Sequence, residues 1–217
     1  QAFEQLVRQR RATRQFLLTP LAQAQIEAVL RDAQQAPSNC NTQPWQVHVV
    51  SGAKRAELAA ALRTAALQGD VAPDFSFDKS SFEGLLAERC QASGKAHYDL
   101  LGIARQDAQR RAEEGLKNFG FFGAPHVALL FMPRIGDNVR AAGDLGMLGQ
   151  TLLLSLAARG LAGIPQTSVA MFAPTVRRVL GIGEEERLLF AISFGYADPG
   201  AVVNQLRVGR APLAPHP

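Results

Sequence analysis

The densest run of chemically useful side chains is Ala36-Pro37-Ser38-Asn39-Cys40-Asn41-Thr42-Gln43-Pro44-Trp45. Serine, asparagine and glutamine donate and accept hydrogen bonds without bringing charge, and proline holds backbone extended, so the stretch suits a flat polar heterocycle. It equally fits an Asx-rich turn between a helix and a strand, with Trp45 plugging the core. A second group is basic. Arg8, Arg10, Arg11 and Arg14 crowd the N-terminal end, and Arg207 and Arg210 lie in the tail. Arginine presents a rigid fork of donors that matches phosphate, although a solvated basic face has the same composition. A third stretch, Leu161-Ala162-Gly163-Ile164-Pro165-Gln166-Thr167-Ser168, reads as a tight loop with free backbone donors. Together these describe a ligand with an anionic tail and a flat polar head.

Other chemistries lack their signatures. No GxGxxG opens a βαβ unit, and there is no P-loop. No serine has a GxSxG setting, and Cys40 has no evident base. His48, His97, His126 and His216 are scattered without metal-ligand spacing, so no metal is expected. A bound cofactor would therefore carry the reactivity. Lys and Arg number 23 against 19 Asp and Glu, a modest excess that suits an anionic ligand as well as nucleic acid. The arginines lack interleaved aromatic platforms, which argues against a nucleic-acid partner. Cys40 and Cys90 form no CxxC pair, pointing to a reducing, cytoplasmic setting. No apolar run approaches the roughly 20 residues of a membrane span, and no signal peptide is apparent.

The elements that must position these groups follow from periodicity. Phe3, Leu6 and Val7 share a helical face. Thr19-Pro20 reads as a helix start, with Leu21, Ile26, Val29 and Leu30 as its stripe and an end before Pro37. Val47 to Val50 is a strand, and 53–67 is an alanine-rich helix. Residues 69–118 form an excursion over a pocket or partner, with a loop at 69–84 and helical spacing around Phe82 to Gln91 and Arg105 to Asn118. Val127 to Phe131 is a buried strand. Val139 to Leu161 is the longest helix, in which Gly143, Gly146 and Gly149 invite close approach by another helix or a flat ligand. Pro174 opens a helix ending at Leu180-Gly181, and Leu188 to Tyr196 is the last strand. The tail, with Pro212, Pro215 and Pro217, reads as extended. One domain over 1–217 follows. Three strands are few for a freestanding sheet, and a tail that adds a strand to a second subunit would repair the shortage.

With these pieces in order, the chain resembles the nitroreductase family. The matching stretches are Arg10-Arg11-Ala12-Thr13-Arg14-Gln15-Phe16, the Ala36–Trp45 segment, Gly160-Leu161-Ala162-Gly163-Ile164-Pro165-Gln166, Phe190–Tyr196, and Asn204…Arg207…Arg210. The resemblance implies an α+β fold: a mostly antiparallel sheet flanked by helices, in an intertwined homodimer that exchanges C-terminal extensions. It implies FMN at the dimer interface and NADPH or NADH as co-substrate. Arg10 and Arg14 would bind the phosphate and ribityl region, with Arg11, Arg207 and Arg210 beside them. Pro37, Ser38, Asn39, Asn41 and Gln43 would contact flavin, largely across the interface. Pro165, Gln166 and Thr167 would lie beside the ring. Where the family often has serine this chain has Ala12, leaving only backbone for that contact. The implied reaction is a ping-pong hydride transfer through flavin N5 to a nitroaromatic, a quinone or a similar small aromatic acceptor, with no catalytic side chain. Reductive dehalogenation, ene reduction, desaturation, or flavin binding with negligible turnover are the alternatives on the same scaffold. Phe residues at 75–82 or 119–122 either wall the acceptor site or pack the core.

Overall fold

The computed structural model describes residues 2–213; Pro215 and Pro217 of the expected extended tail lie outside them. In order, the elements are α1 (Phe3–Gln9), α2 (Gln23–Ala33), β1 (Gln46–Ser51), α3 (Gly52–Gln68), α4 (Gly84–Leu100), α5 (Ala108–Leu116), β2 (His126–Pro133), α6 (Val139–Ala158), β3 (Ala162–Gln166), α7 (Thr167–Ala170), α8 (Ala173–Leu180) and β4 (Glu186–Gly195). The sheet runs β1-β2-β4-β3 with every pairing antiparallel. The fold is α+β, with helices on both faces.

β2 lies inside the sheet and is buried on both faces, hence its unbroken apolar sequence. Val127, Leu129 and Phe131 pack with Leu58 and Leu62 of α3 and Val176 of α8. Ala128, Leu130 and Met132 face the other way, into Ile26 and Val29 of α2 and Leu145, Leu148, Leu152 and Leu156 of α6. By length and composition α6 is apolar enough to cross a membrane. Its leucine stripe is instead the core of this second layer, and its opposite side, with Val139, Gly143, Gly146 and Met147, is exposed.

The three α6 glycines therefore differ in role. A Cβ on Gly149 would come within 2.8 Å of the Phe190 ring, whereas Gly143 and Gly146 face open space. Gly149→Val is expected to destabilise the chain by about 1–3 kcal/mol through overpacking, read as a lower urea midpoint at unchanged m-value.

Two expectations need correction. Residues 161–168 are not a loop but β3 and the start of α7, giving the sheet its fourth strand. α2 begins at Gln23, not at Thr19-Pro20, because residues 16–21 are tied down as extended chain. Phe16 bridges Ala197, the Leu17 amide donates to Tyr196 O, and the Leu21 amide donates to His126 Nε2 at 2.8 Å. Gln25 then caps the helix by accepting from the Ala22 amide. In the excursion, α4 runs on to Leu100, well past Gln91, without a fully buried residue, and Leu85 and Leu86 are exposed. α5 starts from Asp107, which accepts from the Arg110 amide.

Candidate functional site

Residues 10–16 leave α1 as a strap laid along the end of the sheet. Ala12 forms a parallel bridge to Gly163, the Thr13 amide donates to Gly163 O, and the Phe16 amide donates to Phe122 O. Thr13 and Phe16 are buried, Arg11 is exposed, and Arg10, Ala12, Arg14 and Gln15 are half-buried. The strap is joined to the tail by Asn204, which is 7% exposed and saturated with partners. Its Oδ1 accepts from the Arg14 amide at 2.9 Å. Its Nδ2 donates to Gln15 O at 2.8 Å and to Asp198 O at 3.0 Å. Its carbonyl accepts from Arg11 Nε and from the Arg207 guanidinium, both at 3.1 Å.

With the Asp198 amide donating to Gln15 O as well, these contacts bring both ends of the polypeptide to a common cleft of about 790 Å³. The cleft is lined by Arg8, Arg10, Arg11, Arg14, Arg207 and Arg210, with Ala12, Ser93, Gln150 and, among the described residues, no carboxylate. Burial, then Arg210, pulls the Arg10 pKa below the usual arginine value, and burial followed by Arg207 does the same for Arg11. Guanidinium groups held together without an intervening anion make a site that a phosphate would relieve. Arg14 is likewise lowered by burial, with Glu114 acting in the opposite direction. Glu114, on α5, is a buried carboxylate paired with exposed Lys117 and with half-buried His97, whose Nε2 lies 3.4 Å away.

The 37–43 segment is organised around itself. Ser38 Oγ accepts from the Gln43 amide at 2.9 Å, and Gln43 Nε2 donates to both the carbonyl and the side chain of Asn41. Cys40, Asn41 and Gln43 all have positive φ, a conformation costing roughly 1–2 kcal/mol in each non-glycine residue. Gln34 spans the turn, donating to Gln43 Oε1 at 2.9 Å and accepting from Trp45 Nε1 at 3.0 Å. Asp144 of α6 accepts from the Asn39 amide at 3.0 Å. None of residues 37–43 lines the arginine cleft of its own chain.

Pro165 on β3 and Thr167 at the start of α7 are exposed, while Gln166 between them is buried. The Gln166 side chain donates to Asn118 O and accepts from Ser193 Oγ, so only its backbone is left for a ligand. Phe121 and Phe122 are core residues, and Phe119 packs edge-on against Phe172. The 119–122 aromatics thus pack the interior, whereas exposed Phe77 sits edge-on to Phe82 at the surface.

The model of the nitroreductase family matches residues 7–196. The chain belongs to the nitroreductase family. This nitroreductase is 45% identical over 214 residues to nitroreductase NfnB of Mycolicibacterium smegmatis, covering 99% of the chain and 91% of that protein. It is 36% identical over 210 residues to a 4-nitrobenzoate reductase of Pseudomonas putida, covering 96% and 91%. The crystal structure of FMN-dependent NfnB from Mycobacterium smegmatis in complex with NADPH superposes with a TM-score of 0.93 at 44% identity, covering 97% of this chain and 94% of that one.

The structure brings the arginines named from the sequence to one cleft, and sequence reasoning gave no site role to Asn204, Asp144 or Glu114. Asn204 stood in the tail motif, and its spacing from Arg207 and Arg210 was the available signal. Glu114 had none, whereas Asp144 falls among the apolar positions of α6, a break in the stripe that was the available signal.

Proposed function

We propose that this nitroreductase is an FMN-dependent NAD(P)H oxidoreductase that reduces nitroaromatics or quinones, with each cofactor held between two copies of the chain. The observation that carries the reading is the guanidinium cleft built from both ends of the polypeptide, with no carboxylate among its described lining residues. Its charge and donor geometry fit the phosphate of FMN. Similarity to an FMN-dependent enzyme crystallised with NADPH and to a reductase of 4-nitrobenzoate supports the cofactors and the acceptor class.

Arg10, Arg14 and Arg210 hold the phosphate and ribityl chain, with Arg11 and Arg207 beside them and Ala12 offering backbone alone. Pro165, Thr167 and the backbone of Gln166 border the ring. FMN supplies the two-electron chemistry, accepting from NADPH or NADH and delivering to the aromatic acceptor. The protein orients the ring, and the arginines balance the anionic phosphate. Pro37, Ser38, Asn39, Asn41 and Gln43 sit outside their own chain's cleft, so in this reading they reach the flavin of a second copy. The exposed α6 side bearing Gly143, Gly146 and Met147 offers a surface for that copy in a homodimer. Both cysteines are free, which supports a reducing compartment such as the cytoplasm. Neither nucleic acid nor membrane has a place in the scheme.

The test is direct. Purified protein supplied with FMN is expected to be yellow and dimeric, to bleach rapidly on anaerobic mixing with NADPH or NADH, and to recover colour on adding 4-nitrobenzoate or a quinone. Loss of the charged hydrogen bonds of Arg14 costs about 1.5–3 kcal/mol, so Arg14→Ala is expected to weaken FMN binding about 10- to 100-fold. A colourless monomer that takes up no FMN overturns the proposal. A yellow protein that NAD(P)H does not bleach is a flavin carrier instead.

A further inference from the structure

We infer that Asp144 is a positioning residue that clamps the 38–43 loop in the shape that receives the flavin. The inference rests on the reading that this loop faces the cofactor. Asp144 is 4% exposed on the leucine side of α6, between Ala141 and Leu145, where an apolar residue would suit the core better. A carboxylate taken out of water in such a place requires a partner, and here the partner is the Asn39 amide at 3.0 Å. Asn39 opens the turn in which three of the next four residues, Cys40, Asn41 and Gln43, adopt left-handed backbone. Backbone of this kind persists where its surroundings over-determine it. Gln34 grips the far end through Gln43 and Trp45, and Asp144 grips the near end. Releasing the near end lets the turn relax toward ordinary backbone and withdraw Asn39 and Asn41 from the place where they meet the ring. Asp144 lines no part of the arginine cleft, so it acts through the loop.

The experiment uses Asp144→Ala and Asp144→Asn holoprotein. FMN release on dilution is read as flavin fluorescence, and loop position is read from emission of Trp45, the only tryptophan in the chain. In Asp144→Ala, FMN affinity is expected to fall at least about tenfold and Trp45 emission to shift; Asp144→Asn, whose amide oxygen still accepts from Asn39, is expected to stay within about threefold of wild type. Wild-type affinity and emission in Asp144→Ala, or an Asp144→Asn defect as deep as that of alanine, overturns the inference. If wild type binds no FMN, the cofactor reading fails separately, and the Trp45 emission of the two variants still decides whether Asp144 sets the loop. If Asp144→Ala does not fold, hydrogen exchange on wild type decides: the Asn39 amide is expected to exchange at least about 100-fold slower than a free amide, and unprotected exchange overturns the clamp.

Discussion

Asn204→Asp is expected to strip the protein of FMN and to destabilise it by about 2–5 kcal/mol. The change keeps size and shape, so its effect isolates hydrogen-bond polarity. Asn204 donates from Nδ2 to the carbonyls of Gln15 and Asp198 while accepting the Arg14 amide on Oδ1. Aspartate preserves the acceptor but sets a second oxygen against two carbonyl oxygens in a buried place. Each buried polar group left unpaired costs roughly 1–3 kcal/mol. The nearby arginines offset part of this, since a carboxylate among guanidinium groups is favourable, but that same charge competes with the phosphate they would hold. Both consequences therefore reduce cofactor retention. Urea unfolding of the flavin-free chain and the FMN dissociation constant measure them separately. Should Asn204→Asp match wild type in both, the strap and tail are held by other contacts and the account of the cleft is wrong. Arg207 shows why a neighbouring substitution is milder: its guanidinium donates to the Asn204 and Leu206 carbonyls through one half-buried bond and one exposed bond.

How far the sequence reveals this molecule depends on whether its signals are local. β2 and α6 were legible because burial on both faces of one and along one stripe of the other writes itself into consecutive residues. β3 was not. Its five residues include Gly163 and Pro165, which spell turn chemistry in isolation. They serve as strand because β3 is at the sheet edge, where a missing amide is tolerated, and because Gly163 lets Leu153 and Leu156 of α6 approach closely. The start of α2 was misplaced for a similar reason, since Thr19-Pro20 is a good helix opening until His126, more than a hundred residues away, takes the Leu21 amide. At the site, residue types alone pointed to the arginines and to the 37–43 segment. The partners that shape them, Asn204 for the strap and Asp144 for the loop, are joined by contacts spanning 190 and 105 residues, distances at which no sequence pattern operates.

Stability is expected to fall as the solution is acidified from about pH 7 to pH 5, and His126 is a principal cause. His126 Nε2 accepts from the Leu21 amide, so the proton of the neutral ring sits on Nδ1, facing Ser51 Oγ. Protonating Nε2 would set one donor against another inside a buried contact. Burial holds its pKa below the usual histidine value. His97 is lowered in the same direction, first by burial and then by Arg14, with Glu114 opposing. The unfolded chain therefore takes up these protons first. Above an unfolded-state pKa of about 6.5 the two histidines leave stability unchanged; below it each removes up to about 1.4 kcal/mol per pH unit until its folded-state pKa is reached. Depressed carboxylates such as Asp32 contribute only at more acid pH, below the ordinary Asp value of about 3.9. His126→Gln retains a side-chain acceptor for the Leu21 amide but cannot titrate. Its urea stability is expected to lose roughly half the wild-type slope between about pH 6.5 and 5, while remaining close to parallel with wild type above pH 7. Equal slopes in the two proteins would mean that His126 takes its proton in the fold as readily as in the unfolded chain, and that the Leu21 contact does not constrain it.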